Sequence, residues 1–328
     1  MTVPAHPYDA LTPDRLNDAV ASTGRLSDAR LLALNSYENR VYQVGIEEGE
    51  PLVAKFYRPG RWSDEQILEE HAFSLELQAA DISVVAPLRS SDGQTLHHFE
   101  GFRFALFPRR GGYPPELDNL DNLLVLGRTL GRIHAVGAAG SFQARQAMSP
   151  QRMLLESRDF LLQGLIPGEL VPAYESLTRD LATIVLERYS ELTPADSIRL
   201  HGDCHVGNIL WRDDTAHFVD LDDSCSGPAI QDLWMFLNGE RHERQLQLAE
   251  LVEGYSEFCE FDARQLRWVE TLRTMRLVNY AAWLGRRWDD PAFPRSFTWF
   301  NTERYWAEHI LELREQLAAL QEPALELL

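Results

Sequence analysis

The sequence predicts an α+β fold in two lobes, a small antiparallel sheet with one helix and then a larger, mainly helical part. Three observations carry this. Short β-type runs crowd the first third of the chain, at 30–45, 51–59, 83–88, 94–99 and 102–107. Beyond them, apolar residues recur at helix-face spacing, as at 120, 123, 124, 126, 130 and 133. The change falls at Pro108 and the pair Gly111-Gly112, which sets the lobes at 1–108 and 109–328.

The elements follow in order. Val41, Gln43 and Gly45 alternate after a polar turn at Asn35–Asn39, and PLVAKFYRP at 51–59 is stopped by Pro59 and Gly60. Glu47–Glu50 with Gly49 predicts a hairpin between these two runs. Ser63 followed by Gln66 is a capping-box signature, opening a helix that carries Ile67, Leu68, Phe73, Leu75 and Leu77 and ends near Asp81. In the second part, Asn119–Ala135 reads as one helix, and Ser149-Pro150 offers an N-cap with proline in the first turn. Helix is expected over 150–192 with a break at Gly164–Pro172, and again over 229–321 with an interruption at Asp289–Pro294. Between these blocks, 198–234 holds two short β runs, Ile209–Trp211 and His217–Leu221, among polar loops.

Composition narrows the function classes. The 328 residues carry 31 Lys and Arg against 50 Asp and Glu, a net charge of −19, with 45% hydrophobic and 25% charged residues. That mix buries a core, unlike a disordered chain. The acidic balance argues against binding nucleic acid through its phosphates. Cys204, Cys225 and Cys259 are too scattered for a disulfide framework or a zinc site. The start, MTVPAHPYDALTPDRL, lacks a signal-peptide pattern, and no apolar run approaches the ~18 residues of a membrane span. A cytoplasmic, monomeric protein without nucleic-acid or membrane partners is expected.

The chemistry concentrates in IRLHGDCHVGNILWRDDTAHFVDLDDSCSGPAIQDLW. Asp203 and Asp220 each sit at the edge of an apolar run, where a carboxylate is partly desolvated and needs a partner. The spacing His201-x-Asp203-x-x-x-x-Asn208 matches a phosphotransfer catalytic loop, with the Asp as base and the Asn as magnesium ligand. Magnesium takes few protein oxygens, and Asp220 at the end of the next β run is placed to supply a second. Upstream, Leu52-Val53-Ala54-Lys55 fits the lysine that holds nucleotide phosphates, with Glu69 or Glu70 as its ion-pair partner. Each motif alone is weak, and their order along the chain is what points to phosphoryl transfer.

HGDCHVGNILW with FVDLDD resembles the aminoglycoside phosphotransferase and choline kinase group of protein-kinase-like enzymes, over roughly residues 30–310. SYENRVYQV and KFYRPGRWSDEQILEEH resemble its bacterial stress response kinases. The resemblance implies a two-lobed kinase-like fold, ATP and Mg2+ as cofactors, and a serine or threonine hydroxyl on protein as acceptor. It implies Asp203 as catalytic base, Asn208 and Asp220 as metal ligands, and Lys55 on the α/β-phosphates with Glu70 behind it. It also places Ser36 over the phosphates and Phe104–Phe107, including Leu106, as the hinge beside adenine, and gives Asp232 the bracing of the catalytic loop. The chain departs from eukaryotic kinases in lacking GxGxxG and A-P-E and in having Asp220-Leu221-Asp222 for D-F-G. Phosphate cradling by Asn35–Asn39 and regulation by loop phosphorylation are the implications this weakens.

Two other readings remain open in the sequence. One is a small-molecule hydroxyl kinase acting on choline, homoserine or an aminoglycoside. The other is a metallohydrolase built from His201, Asp203, His205, Asp220 and Asp222, which leaves Lys55 without a purpose. His134 reads as a core histidine, and Cys204 as a small hydrophobe. Trp283, Trp288, Trp299 and Trp306 with Phe293, Phe297 and Phe300 read as core packing, with an acceptor cleft as the rival. Arg286 and Arg287 either meet an anionic acceptor or offset the acidic surface.

Overall fold

The computed structural model describes residues 6–328. Its first elements are α1 (Pro13–Ala21), β1 (Ser27–Ala33), β2 (Arg40–Ile46), β3 (Leu52–Phe56), α2 (Asp64–Ala79), β4 (His97–Phe99) and β5 (Phe102–Pro108). Then come α3 (Leu120–Ala138), α4 (Glu156–Leu162), α5 (Val171–Tyr189), β6 (Ile198–Leu200), β7 (Ile209–Arg212), β8 (Thr215–Phe218) and β9 (Cys225–Gly227). The chain closes with α6 (Ile230–Trp234), α7 (Arg241–Ser256), α8 (Val269–Arg286), α9 (Ala292–Ser296) and α10 (Glu303–Gln321). They form two compact units. The first holds the chain up to Glu116 with Phe142–Arg145 and His205–Ser224, and the second holds Leu117–Ser141, Gln146–Cys204 and Cys225–Leu328. A boundary at 108/109 therefore misses that β7 and β8 pack with the sheet unit, drawn there by backbone bonds from Val85 N to Phe218 O and Phe218 N to Ser83 O, both 2.9 Å.

In the first unit the sheet runs β1-β2-β3-β5-β4, antiparallel throughout. Successive side chains on a strand take opposite faces, and paired residues share one. Val44, Ala54, Phe56, Phe104 and Leu106 bury one face against Leu16, Ala19 and Val20 of α1. Phe56 and Phe104 stack there at 5.2 Å. Tyr57, Ala105 and Phe107 turn to the other face with Ile67 of α2. The capping box is present as expected: Gln66 N donates to Ser63 Oγ at 3.3 Å, and Ser63 N donates to Gln66 Oε1 at 2.9 Å.

Three expected β runs change. Ser83–Leu88 is an extended connector, because Leu88 N donates to Leu106 O while its other bonds go to Phe218. The 94–99 run shrinks to His97–Phe99, since Gln94 O is taken by the turn from Ser90. The 217–221 run ends at Phe218, because Asp220 leaves extended backbone for the left-handed region at φ 59° and ψ 63°. The β7–β8 turn sets both Asp213 and Asp214 at positive φ, the geometry of a tight hairpin.

The second unit is helical apart from the β6–β9 ladder. The break between α4 and α5 falls at the expected position, but the stretch 229–321 is also broken at 235–240 and 257–262, and α9 (Ala292–Ser296) occupies part of the expected interruption at Asp289–Pro294. Ser149-Pro150 opens a helix as expected: Arg152 N donates to Ser149 Oγ at 3.4 Å and Met153 N to Ser149 O at 3.0 Å, and the chain then runs through a π-helical turn at Gln151–Leu155. Trp306, Phe293, Phe297 and Phe300 are buried, so these aromatics pack the core, while Trp299 is 47% exposed. Among the described residues no helix is long and apolar enough to cross a membrane. The α3 and α7 backbones meet at glycines. A Cβ on Gly127 would stand 2.1 Å from Leu251 O, and one on Gly254 would stand 2.1 Å from Leu124 O. Backbone carbonyls do not swing aside as side-chain ends do. Gly127→Ala should therefore force the helices apart and cost about 1–3 kcal/mol, read as a lower urea midpoint. An unchanged midpoint would refute the close packing.

Candidate active site

In the first unit, the site grows from Lys55 on β3. Its side chain is only 7% exposed, and Nζ lies 2.7 Å from Asp220 Oδ1 and 3.3 Å from Asp222 Oδ1. Burial alone would push the ammonium pKa down, but Asp220, Asp222 and Glu70 outweigh it and hold it well above the ordinary lysine value. Asp222 is the buried hub. Arg61 Nη1 reaches its Oδ2 at 2.5 Å, Asn39 Nδ2 donates to the same oxygen at 3.2 Å, and Arg145 Nη2 donates to its backbone carbonyl. Burial would raise the Asp222 carboxyl pKa; Lys55, Arg61 and Arg145 overcome that and drive it well below the usual carboxylate range.

The two α2 glutamates divide. Glu69 accepts from the backbone N–H groups of Gln143, Ala144 and Arg145 at 2.5–2.8 Å. Glu70 is buried, and its Oε2 has no hydrogen-bond donor. Burial pushes its pKa up to about 7, with Lys55 opposing. Tyr57 Oη meets His71 Nε2 at 2.7 Å behind this pair, and burial lowers the His71 pKa to about 3, so its ring is neutral.

Asn208 and Asp220 belong to the same unit. Val219 N donates to Asn208 O at 3.0 Å, which ties the residue before Asp220 to Asn208. The Asp220 side chain is half exposed. A carboxylate and an amide oxygen, with remaining positions left to phosphate and water, fit Mg2+. His205 Nδ1 accepts from Gly207 N at 3.0 Å, so this ring holds the loop.

In the second unit, the loop carrying Asp203 is braced from beneath. Asp232 is fully buried; its carboxylate accepts from His201 N at 2.8 Å and Gly202 N at 2.9 Å. His134 Nε2 meets the same carboxylate at 3.1 Å, and its Nδ1 meets Tyr255 Oη at 3.0 Å, as for a satisfied core histidine. Gln231 Nε2 donates to Gly202 O at 3.1 Å, and Gly202 has φ 87°, open to glycine alone at little cost. Asp203 itself is paired with Arg276 Nη1 of α8 at 2.5 Å. Cys204 is fully buried and its thiol pKa is pushed well up, first by burial, so it is not a reactive thiolate.

A model of the phosphotransferase enzyme family, APH, matches residues 30–269. The chain belongs to that family. Stress response kinase A of Escherichia coli strain K12 is 46% identical over 324 residues, 98% of each chain. Serine/threonine protein kinase RdoA of Salmonella typhimurium LT2 is 46% identical over the same share. Among solved structures, an amicoumacin kinase in complex with AMP-PNP and Ca2+ has a TM-score of 0.72 at 18% identity, covering 90% of this chain and 89% of that one. A microcompartment-associated aminopropanol kinase has a TM-score of 0.66 at 18% identity, covering 89% and 91%. These likenesses are of fold, and they bear out the kinase-like α+β architecture. The protein is a phosphotransferase, which sets the metallohydrolase reading aside.

Within this APH chain the structure rearranges part of the expected site. Lys55, Asp220, Glu70 and Asn208 gather in the first unit, and Asp203 stands on its braced loop in the second. Ser36 Oγ donates to Asn39 O at 3.0 Å, stabilising the β1–β2 loop. At the expected hinge the side chains divide between the two faces of the sheet. Lys55 pairs with Ala105 and Val53 with Phe107, so Phe107 shares the lysine face while Phe104 and Leu106 point into the α1 core. The Leu106 carbonyl is moreover taken by Leu88 N. Sequence reasoning gave no role to Arg61, Asn39, Arg145 or Arg276. Nothing local marks them, since each acts through a partner at least 73 residues away.

Glu70 yields a pH test. Its carboxyl titrates near 4.5 when exposed and near 7 in the folded protein. The folded state thus binds the extra proton between these values, and stability falls as pH rises from 4.5 to 7, by about 3 kcal/mol from this group. Glu70→Gln should remove that fall, so denaturation midpoints of variant and wild type should diverge in the variant's favour across this window. A pH-independent difference would show Glu70 charged throughout.

Proposed function

We propose that the protein is an ATP- and magnesium-dependent kinase that phosphorylates serine or threonine hydroxyls on protein, including its own chain. The observation that carries the reading is Asp203, partly exposed on a loop whose backbone is locked by the buried Asp232. A carboxylate so held is oriented before the acceptor arrives, which is the condition for positioned proton transfer. Asp203 accepts the acceptor hydroxyl proton. Lys55 steadies the α/β-phosphates, with Asp222 and Glu70 fixing its position. Ser36 lies over the phosphates and Phe107 beside adenine. Asn208 and Asp220 hold Mg2+, which when bound neutralises the phosphate oxygens. The protein acceptor is supported by near-full-length identity of 46% to a chain named a serine/threonine protein kinase. A cytoplasmic monomer with a role in stress responses completes the reading.

Incubation with labelled ATP and Mg2+ should place acid-stable, base-labile phosphate on the chain or on a test protein. Asp203→Ala should lower the rate about 10²–10⁴-fold while ATP binding persists. Asp220→Ala and Asn208→Ala should instead weaken nucleotide-linked Mg2+ binding in calorimetry. Wild-type turnover by Asp203→Ala would overturn the base, and rapid phosphorylation of a small alcohol with none on protein would overturn the acceptor.

A further inference from the structure

Lys55 stands on a face of the sheet that is only partly covered. β2 and β3 pair Val41 with Lys55 and Gln43 with Val53, while β3 and β5 pair Lys55 with Ala105 and Val53 with Phe107. Paired residues share a face, so these six side chains form one surface. α2 covers its β5 side, where Ala105 and Phe107 pack with Ile67. Val41, Gln43 and Val53 stay partly exposed, and the two valines stand outside both the α1 core and the α2 core. The surface has a direction. Val41 and Lys55 lie at the end next to the Asn35–Asn39 loop, and Gln43 and Val53 lie one step, about 7 Å, farther along the strands. At that far end Arg109, just past β5, donates from Nε to Gln43 Oε1 at 2.7 Å. This bond turns the Gln43 oxygen toward Arg109. The two Gln43 Nε2 hydrogens and the Arg109 Nη groups are left without a partner among the described residues.

We infer that Gln43, held by Arg109, recognises the ribose hydroxyls of the nucleotide and makes the enzyme select ribonucleotides. The inference rests on the reading that Lys55 binds the nucleotide phosphates. With the phosphates at the lysine and the loop beside it, the nucleoside extends along β3 toward Val53. There Val41 and Val53 offer an apolar plate to the base. The base takes the β5 side, next to Phe107, which leaves the sugar on the β2 side with Gln43. The 2′- and 3′-oxygens are acceptors, and the free N–H groups of Gln43 and Arg109 are donors presented at one edge of the plate. The bond between the two side chains fixes the amide before the nucleotide arrives, so little freedom is lost on binding.

The test is calorimetric binding of ATP, 2′,3′-dideoxy-ATP and GTP to the full chain in Mg2+. ATP should bind about tenfold more tightly than the dideoxy analogue, the worth of two ordinary hydrogen bonds. Gln43→Leu should bring that ratio near one, and Arg109→Ala should narrow it, both by weakening ATP and not the analogue. Neither should change the ratio of ATP to GTP. A merely structural role would weaken ATP and its analogue alike, and urea midpoints show whether each variant is folded. Wild-type indifference to the sugar hydroxyls, a ratio kept by Gln43→Leu, or a loss of base selectivity in its place overturns the inference. Lys55→Met separates this from failure of the underlying reading. If it weakens ATP while Gln43→Leu leaves the sugar ratio unmoved, only the ribose contact falls. If ATP does not bind, or binds Lys55→Met as well as wild type, the nucleotide reading falls and the inference with it.

Discussion

A lysine ammonium buried on the middle strand of a sheet has to be met by carboxylates, and meeting it organises the first unit. Left unpaired, such a charge costs several kcal/mol in desolvation or gives up its proton. Lys55 is met by Asp220, 165 residues downstream, so the chain must return to the sheet after building much of its helical part. This is the physical reason that β7, β8 and the turn after them belong with β1–β5. Asp222 extends the requirement. It draws in Asn39 from the β1–β2 loop, Arg61 from the turn before α2, and Arg145, so three connections are fastened at one residue. Removing one partner would leave the others as buried, uncompensated charges.

The second unit solves a related problem with a neutral-looking core. Asp232 is fully buried, yet its two oxygens are used by His201 N, Gly202 N and the His134 ring. His134 comes from α3 and is closed off by Tyr255 of α7, and those two helices touch backbone to backbone at their glycines. The orientation of Asp203 thus depends on helix packing well away from it. Arg276 adds a second constraint, applied to the carboxylate itself rather than to the loop. A carboxylate held from both sides loses little freedom when a partner group reaches it.

The residues legible in the sequence are those whose chemistry is local. The capping box at Ser63 and Gln66 follows from side chains three residues apart, and α3 from a long periodic run. His201-x-Asp203-x-x-x-x-Asn208 is likewise read from one loop, and Lys55 from one strand. What escaped is non-local. Arg61 and Arg276 are ordinary arginines until the fold brings Asp222 and Asp203 to them. The division of the hinge side chains is of the same kind: which face Phe104 takes is set by pairing with Phe56 on β3, a register that no pattern within 102–108 reveals. Ser83–Leu88 has strand-like composition but divides its hydrogen bonds between two partners, a choice made by tertiary structure.

Asp220 and Asp222 show how two residues of one type, two positions apart, come to differ. The chain leaves β8 through Asp220 in the left-handed region and enters a short 3₁₀ turn at Leu221–Asp223, with Leu221 buried. That turn sends the Asp222 carboxylate inward to Lys55, Arg61 and Asn39 and leaves Asp220 half exposed. A left-handed residue with a side chain costs roughly 1–2 kcal/mol, and aspartate and asparagine tolerate it best because their short polar groups bond locally. Glycine would remove the strain but also the carboxylate. Aspartate is thus the residue that reconciles this backbone with a negatively charged side chain, and its ion pair with Lys55 offsets part of the cost. Both aspartates hold the lysine, and of the two only Asp220 keeps half of its side chain in solvent.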